Sequence, residues 1–554
     1  MSTQATTNIA SYLATRAQQI PYSMAVVFPQ GRDSRGQVCY THFTYAQLHA
    51  HSDRIAYTLA KNGVECGQRV ALMVKPSLDF FAITFALFKL GAVPILIDPG
   101  MGIKNIKTCL EEAQPQVFIG ITQAQIARKL LGWGKSSVNL IFSPARYCWP
   151  GCLSLPQLLC QTPTASEFSC HQPIDSETAA ILFTSGSTGV PKGAIYTHSN
   201  FNAQIKALQQ LYQIQPGEID LCTFPLFALF APALGMTAVI PDMDATKPAQ
   251  VNPQRIFEAI DNFGITNMFG SPALLRRVAT AGMHQHRKLP TLQRVISAGA
   301  PVPATVLEQF GSMLNSDISI YTPYGATEAL PVCSISSSTI LTTTRELTDL
   351  GKGICVGTPV ENLEVQIIAI DDQPISQWRD DLCIKDGEIG EIVVKGAQVT
   401  SGYYNRPEST ALAKIPTADG GYYHRMGDVG YRDNEGKIWF CGRKTHRVQT
   451  ATQTLFTIPC EGVFNSHPQV YRTALVGVGT PGEQQPVLCV ELLKPADMAT
   501  QKSIETDLRH IQQKFPHTSA IKYFMFHPAF PVDIRHNAKI FREKLALWAS
   551  KKTS

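Results

Sequence analysis

The sequence has no block of lysines and arginines: 48 basic and 43 acidic residues are spread over 554 positions, for a net charge of +5. Without a concentrated field, nothing marks the chain for nucleic acid or for an anionic membrane surface. It also has no uninterrupted apolar run of membrane-spanning length, and no transmembrane segment is expected. The longest run, Phe80 to Ile97, carries Lys89 near its middle and is broken by Gly91 and Pro94, so it is expected to be a core helix followed by a strand. The first residues, Met1 to Thr7, lack the basic start, apolar centre and small-residue cleavage site of an export signal, and a cytoplasmic protein is expected. The 14 cysteines form no small-domain disulfide framework, which suits a reducing compartment where thiols act as small apolar side chains. Cys148, Cys152, Cys160, Cys170 and His171 are spaced unlike any common zinc module, and Asp242 and Asp244 have no third ligand nearby, so neither group is expected to hold a metal.

What the sequence does contain is concentrated chemistry. The run Thr184-Ser185-Gly186-Ser187-Thr188-Gly189-Val190-Pro191-Lys192-Gly193 gathers glycines, hydroxyls and a lysine into one loop. Glycines let backbone N–H groups turn toward an anion without a Cβ in the way, and hydroxyls and an ammonium add donors and charge. It is not a Walker loop, which needs Gly-Lys followed by Ser or Thr. Apolar Ala179 to Phe183 leads into it and reads as a buried strand delivering a phosphate-binding loop to a cleft.

Local signals order the first half as alternating helices and strands. Thr44 caps a helix with Leu48, Ile55 and Leu59 on one face, ending at Gly63 before a strand at Val70 to Val74. Ser77 opens a second helix that runs to Leu90, Gly91 stops it, and Val93 to Ile97 forms the next strand. That is a parallel α/β arrangement. Residues 386 to 440 change to short alternating pieces such as Glu391 to Val394 and Lys437 to Phe440, expected to be antiparallel. Beyond Arg443 the chain resumes mixed helix and strand, with apolar runs at Thr473 to Val478 and Val487 to Leu493.

Four further segments accompany the loop: Tyr321-Thr322-Pro323-Tyr324-Gly325-Ala326-Thr327-Glu328, Arg425-Met426-Gly427-Asp428, Gly442-Arg443-Lys444, and Asn537-Ala538-Lys539 followed by Phe541-Arg542-Glu543-Lys544-Leu545. In this order they resemble the signatures of the acyl-adenylate-forming synthetases, which activate carboxylic acids with ATP. Phe224 to Phe230, Pro241 to Asp244 and Pro531 to Asn537 further resemble the bacterial olefin β-lactone synthetases. The resemblance implies an α/β fold with a large multi-subdomain adenylation domain over residues 1–442. A smaller, mobile α+β lid over 443–554 would carry Lys539.

The resemblance also implies roles. Thr184, Ser185, Gly186, Ser187, Thr188 and Gly189 would wrap the β- and γ-phosphates, with Ser185, Ser187, Thr188 and Lys192 as side-chain contributors. Lys192 is either a phosphate ligand or a solvent-facing charge that draws the nucleotide in. The ring of Tyr324, next to Gly325, would stack on adenine, Thr327 would meet phosphate, and Glu328 would hold Mg²⁺, which favours a carboxylate plus phosphate oxygens. Gly299, Ala300 and Pro301 would line the adenine edge. Asp428 would take the ribose hydroxyls, Arg443 would reach the same nucleotide, and Lys539 would bridge the substrate carboxylate and the α-phosphate. Phe227, Phe230, Phe269 and Gly270 would meet the acyl chain, although a core role explains them almost as well.

Two positions depart from the thiol-transferring members of that family. The hinge residue is Thr445 rather than a charged one, and Thr452 stands where a glycine admits the pantetheine arm. A β-lactone synthetase needs no thiol, because the 3-hydroxyl of the bound acyl adenylate attacks its own carbonyl. The expected substrate is a long-chain 3-hydroxy acid, with ATP and magnesium, and the expected partners are thiolase-, reductase- and α/β-hydrolase-like enzymes. Alternatives are an acyl-CoA or acyl-carrier ligase and a non-catalytic adenylate-binding scaffold. His198 and His536 are candidates for the closing base, and neither is singled out.

Overall fold

A computed structural model describes residues 7–163, 167–183, 191–532 and 540–553. Its architecture follows from local signals. Thr44 closes a capping box with Gln47 at the start of helix Tyr45–Lys61. Ser77 caps helix Leu78–Leu90, and Gly91 ends it in the left-handed conformation at φ 76°. A Cβ on Gly91 would stand 2.7 Å from the His171 ring, so the position requires glycine twice over. Helix Leu78–Leu90 is buried from Phe80 onward, and Lys89 survives inside because Asp53 Oδ1 stands 2.6 Å from its ammonium. Burial lowers the Lys89 pKa, and the pairing with Asp53 opposes that shift.

Two large sheets form the body. The first has seven strands, parallel except for its last pair, in which strand Gly193–Thr197 runs antiparallel to Thr178–Phe183. In the second, the neighbours Thr237–Val239, Ile219–Cys222, Asn267–Phe269, Arg294–Ile296 and Ile320–Ala326 are all parallel. It continues through hairpin strand Ala329–Ser336 into an antiparallel region that holds Gly390–Lys395, Tyr422–Arg432 and Ile438–Arg443, as the alternating sequence beyond residue 386 predicts. Helices Leu78–Leu90 and His198–Tyr212 contribute to one continuous apolar core with the first sheet.

The C-terminal part is a smaller α+β unit. Strands Val470–Val478 and Gln485–Leu492 are antiparallel, and Tyr523–Phe526 joins the second of them in parallel. Helices Thr457–Asn465, Met498–Gln513 and Arg542–Thr553 accompany them, with apolar cores of their own. No helix among the described residues is long and apolar enough to cross a membrane.

Candidate active site

In open parallel sheets, ligand sites form beyond the carboxyl ends of the strands, where successive loops diverge. Strand Thr178–Phe183 leads directly to the phosphate-loop sequence. Thr184, Ser185, Gly186, Ser187, Thr188 and Gly189 themselves lie outside the described residues, as do Lys539 and His536. The neighbouring strand ends deliver the other predicted residues. Phe224 follows Ile219–Cys222, Gly270 follows Asn267–Phe269, and Gly299 follows Arg294–Ile296.

Four phenylalanines collect at this edge. Phe227 stacks on Phe269 with centroids 4.5 Å apart, Phe224 lies 5.5 Å from Phe227, and Phe230 lies 6.4 Å from Phe227. All four are half-buried rather than sealed in the core. Gly270 is buried and donates its N–H to Ile296 O at 2.9 Å, tying the aromatic strand end to the adenine-edge segment. In that segment Gly299 takes φ 94°, which a side chain rarely adopts. Ala300 is half-buried and Pro301 exposed, while the neighbouring Ser297 has a buried hydroxyl with no hydrogen-bond partner among the described residues.

The hairpin between Ile320–Ala326 and Ala329–Ser336 presents the third group. Gly325 is required there, since a Cβ would approach Ala329 O at 2.7 Å. The Tyr324 hydroxyl donates to Asp428 Oδ2 at 2.7 Å. Arg443 pairs across the sheet register with Asp428 and places a guanidinium nitrogen 3.0 Å from Oδ1. That contact misses hydrogen-bonding geometry, so Oδ1 is buried yet free to accept a bond. Burial raises the Asp428 pKa while Arg443 and Tyr324 oppose the rise, and the carboxylate in turn raises Arg443.

Thr327 and Glu328 occupy the hairpin turn. Tyr196 donates its hydroxyl to Thr327 O, and Gln204 donates to Tyr196 at 3.2 Å. Thr400 holds Glu328 O through its backbone N–H at 2.9 Å and its hydroxyl at 3.2 Å. The Glu328 carboxylate accepts the Tyr403 hydroxyl on Oε1 at 2.7 Å. Lys192 is half-buried, with its ammonium 5.0 Å from the Tyr403 ring centroid. The structure thus brings Glu328, Tyr403 and Lys192 into one chain of contacts and Tyr324, Asp428 and Arg443 into another. Tyr196, Thr400 and Tyr403 escape a reading of the sequence because their partners are far along the chain.

The remaining named residues have the following contacts. His198 is buried against Phe88 and accepts the Ile9 N–H on Nδ1 at 3.2 Å. Asp242 pairs with Arg32 and Arg255, and Asp244 caps Thr246. Cys148 donates to Cys152 O, whereas His171 pairs with Glu177 at 2.6 Å. Thr445 is exposed in the turn Lys444–His446, and exposed Thr452 sits in the tight turn after strand Val448–Gln449. Beside Thr445, Lys444 reaches the buried Glu391 at 3.2 Å, which Arg425 also grips at 2.6 Å.

Side chains gathered beyond parallel α/β strand ends and on the adjoining antiparallel strands, in a large N-terminal part followed by a smaller C-terminal α+β unit, match the architecture of adenylate-forming enzymes. The family model of the AMP-binding enzymes matches residues 13–404, and the chain belongs to that family as an AMP-forming, acid-activating ligase. It is 50% identical over 548 residues to an olefin β-lactone synthetase of Xanthomonas campestris pv. campestris, covering 98% of this chain and 97% of that one. Against an olefin β-lactone synthetase of Stenotrophomonas maltophilia the identity is 49%, covering 98% of each. ATP-bound MatB from Rhodopseudomonas palustris shares the fold at a TM-score of 0.77 and 18% identity, covering 99% of each chain.

Proposed function

We propose that this protein activates a long-chain 3-hydroxy fatty acid with ATP and closes the acyl adenylate to a β-lactone. Near-full-length identity of about one residue in two to two olefin β-lactone synthetases is the observation that carries the reading. A carboxylate oxygen of the acid attacks the α-phosphorus and pyrophosphate leaves. The 3-hydroxyl oxygen then attacks the activated carbonyl carbon, its proton passes to solvent, and AMP departs with the electron pair of the cleaved anhydride bond. A tethered nucleophile makes the second step effectively unimolecular, at effective molarities on the order of 10⁵ M or more.

The roles are those the family signatures imply, supported by contacts where the residues are described. Residues Thr184 to Gly189, with Thr188 assisting the reaction, would wrap the phosphates and Lys192 would add charge. Tyr324 and the Gly299–Ala300–Pro301 segment would bracket adenine. Buried Oδ1 of Asp428 suits a ribose hydroxyl, because a buried acceptor without a hydrogen bond is costly until a ligand supplies one. Arg443 would hold that carboxylate toward the nucleotide, and Lys539, carried by the lid 443–554, would meet the developing charge on the α-phosphate. Glu328 fits magnesium: Oε1 is taken by Tyr403, and no described hydrogen bond uses Oε2. The cation would neutralise phosphate charge. Phe227, Phe230, Phe269 and Gly270 would line the acyl path. Thiolase-, reductase- and α/β-hydrolase-like enzymes of the same pathway would assemble with it.

The test omits CoA. ATP, magnesium and a 3-hydroxy fatty acid should yield AMP, pyrophosphate and a β-lactone identified by mass spectrometry, at a rate that added CoA does not raise. Rapid conversion of the matching acid without the 3-hydroxyl into acyl-CoA would defeat this reading in favour of a CoA ligase.

A further inference from the structure

Residues 400–404 cross the molecule between two parts of the candidate site. Ile195 N donates to Gly402 O at 3.0 Å, Tyr404 N donates to Gly193 O at 2.8 Å, and Ala194 bridges Tyr403. The segment is therefore sewn to the strand that leaves the phosphate loop. Three residues earlier, Thr400 binds the backbone of Glu328 through two donors. Its own carbonyl accepts from Lys414, a buried lysine whose ammonium stands 4.9 Å from the Tyr422 ring centroid. Tyr403 N is held by Thr410 Oγ1 at 3.0 Å, and a Cβ on Gly402 would collide with Thr410 at 2.8 Å. The tyrosine is thus fixed at both its backbone and its hydroxyl.

We infer that Tyr403 is a positioning residue for acid activation, its ring supporting Lys192 and its hydroxyl fixing one oxygen of Glu328 so that the other faces a divalent cation. The inference rests on the magnesium role proposed for Glu328. An ionised carboxylate only accepts, so the Tyr403 hydroxyl is the donor of the 2.7 Å bond to Oε1. A carboxylate with one oxygen engaged offers a single, oriented ligand atom, and such outer partners set metal affinity. The face of the ring also attracts the Lys192 ammonium, so one side chain registers Lys192 against the hairpin that carries Glu328.

Tyr403→Phe keeps the ring and removes the hydroxyl; Tyr403→Leu removes both. Magnesium is titrated into the full-length protein saturated with an α,β-methylene analogue of ATP and followed by thermal shift, with pyrophosphate exchange measured in parallel. Tyr403→Phe should raise the magnesium concentration at half-effect about tenfold while the melting temperature without nucleotide stays near wild type. Tyr403→Leu should add a further loss in exchange rate at saturating magnesium. A Tyr403→Phe protein with wild-type magnesium dependence overturns the inference, provided that Glu328→Gln shifts that dependence. If Glu328→Gln also leaves it unchanged, the magnesium reading of Glu328 falls, and this inference falls with it.

Discussion

Asp428 is a residue whose two oxygens have been given different tasks. Oδ2 is spent on the Tyr324 hydroxyl, whereas Oδ1 is buried beside Arg443 without a hydrogen bond. Hydrogen bonds to a charged acceptor are worth about 1.5–3 kcal/mol each, and this one is available to a ligand in both ground and transition states. Asp428→Ala should therefore weaken ATP binding by at least about tenfold, read by equilibrium titration, with a smaller effect on turnover at saturating ATP. Unchanged ATP affinity in a folded Asp428→Ala protein would remove Asp428 from the nucleotide site.

The N-terminal helix Ala10–Gln19 shows how one element is fastened by a titratable group. Asn8 donates to Phe88 O at 2.8 Å and His171 O at 3.0 Å, and Ile9 donates to His198 at the start of helix His198–Tyr212. Burial first, and the His171 charge second, lower the His198 pKa to about 4. A folded pKa below the unfolded value near 6.5 means that the unfolded chain binds the extra proton. Stability from this group is full above about pH 6.5 and declines as the pH falls toward 4, by roughly 3 kcal/mol in all. The melting temperature should fall through that window, and His198→Gln should flatten the fall; an unchanged slope would refute the assignment. Elements like these were legible where their causes are local. Thr44, Ser77 and Gly91 mark helix ends within a few residues of themselves, and the strand before the phosphate loop is announced by its own apolar run. The links that align the site were not legible, because Tyr324 meets Asp428 across 104 positions and Tyr403 meets Glu328 across 75. Nothing in Ser401-Gly402-Tyr403-Tyr404 signals chemistry until the sheet brings it beside Glu328.

At the scale of the whole molecule, the proposed chemistry draws on both the large body and the C-terminal unit. Val532 and Ile540 form a bridge on either side of the segment that carries Lys539. A lysine that meets charge developing on the α-phosphate acts mainly in the transition state. Lys539→Ala should lower pyrophosphate exchange by orders of magnitude with ATP affinity nearly unchanged; exchange near the wild-type rate in the folded variant would contradict the role. Glu391, Arg425 and Lys444 form a largely buried ion triad. Removing one member of a buried ion pair is severe when it strands a charge. Here the carboxylate has two cations, and Arg425, gripping it at 2.6 Å from the same antiparallel sheet, stays when Lys444 goes. The lysine of that turn is thus a second cation on a carboxylate that Arg425 already neutralises: without it the pair would keep a net charge of zero, while Glu391 Oε1, 3.1 Å from the lysine ammonium, would lose its ionic partner.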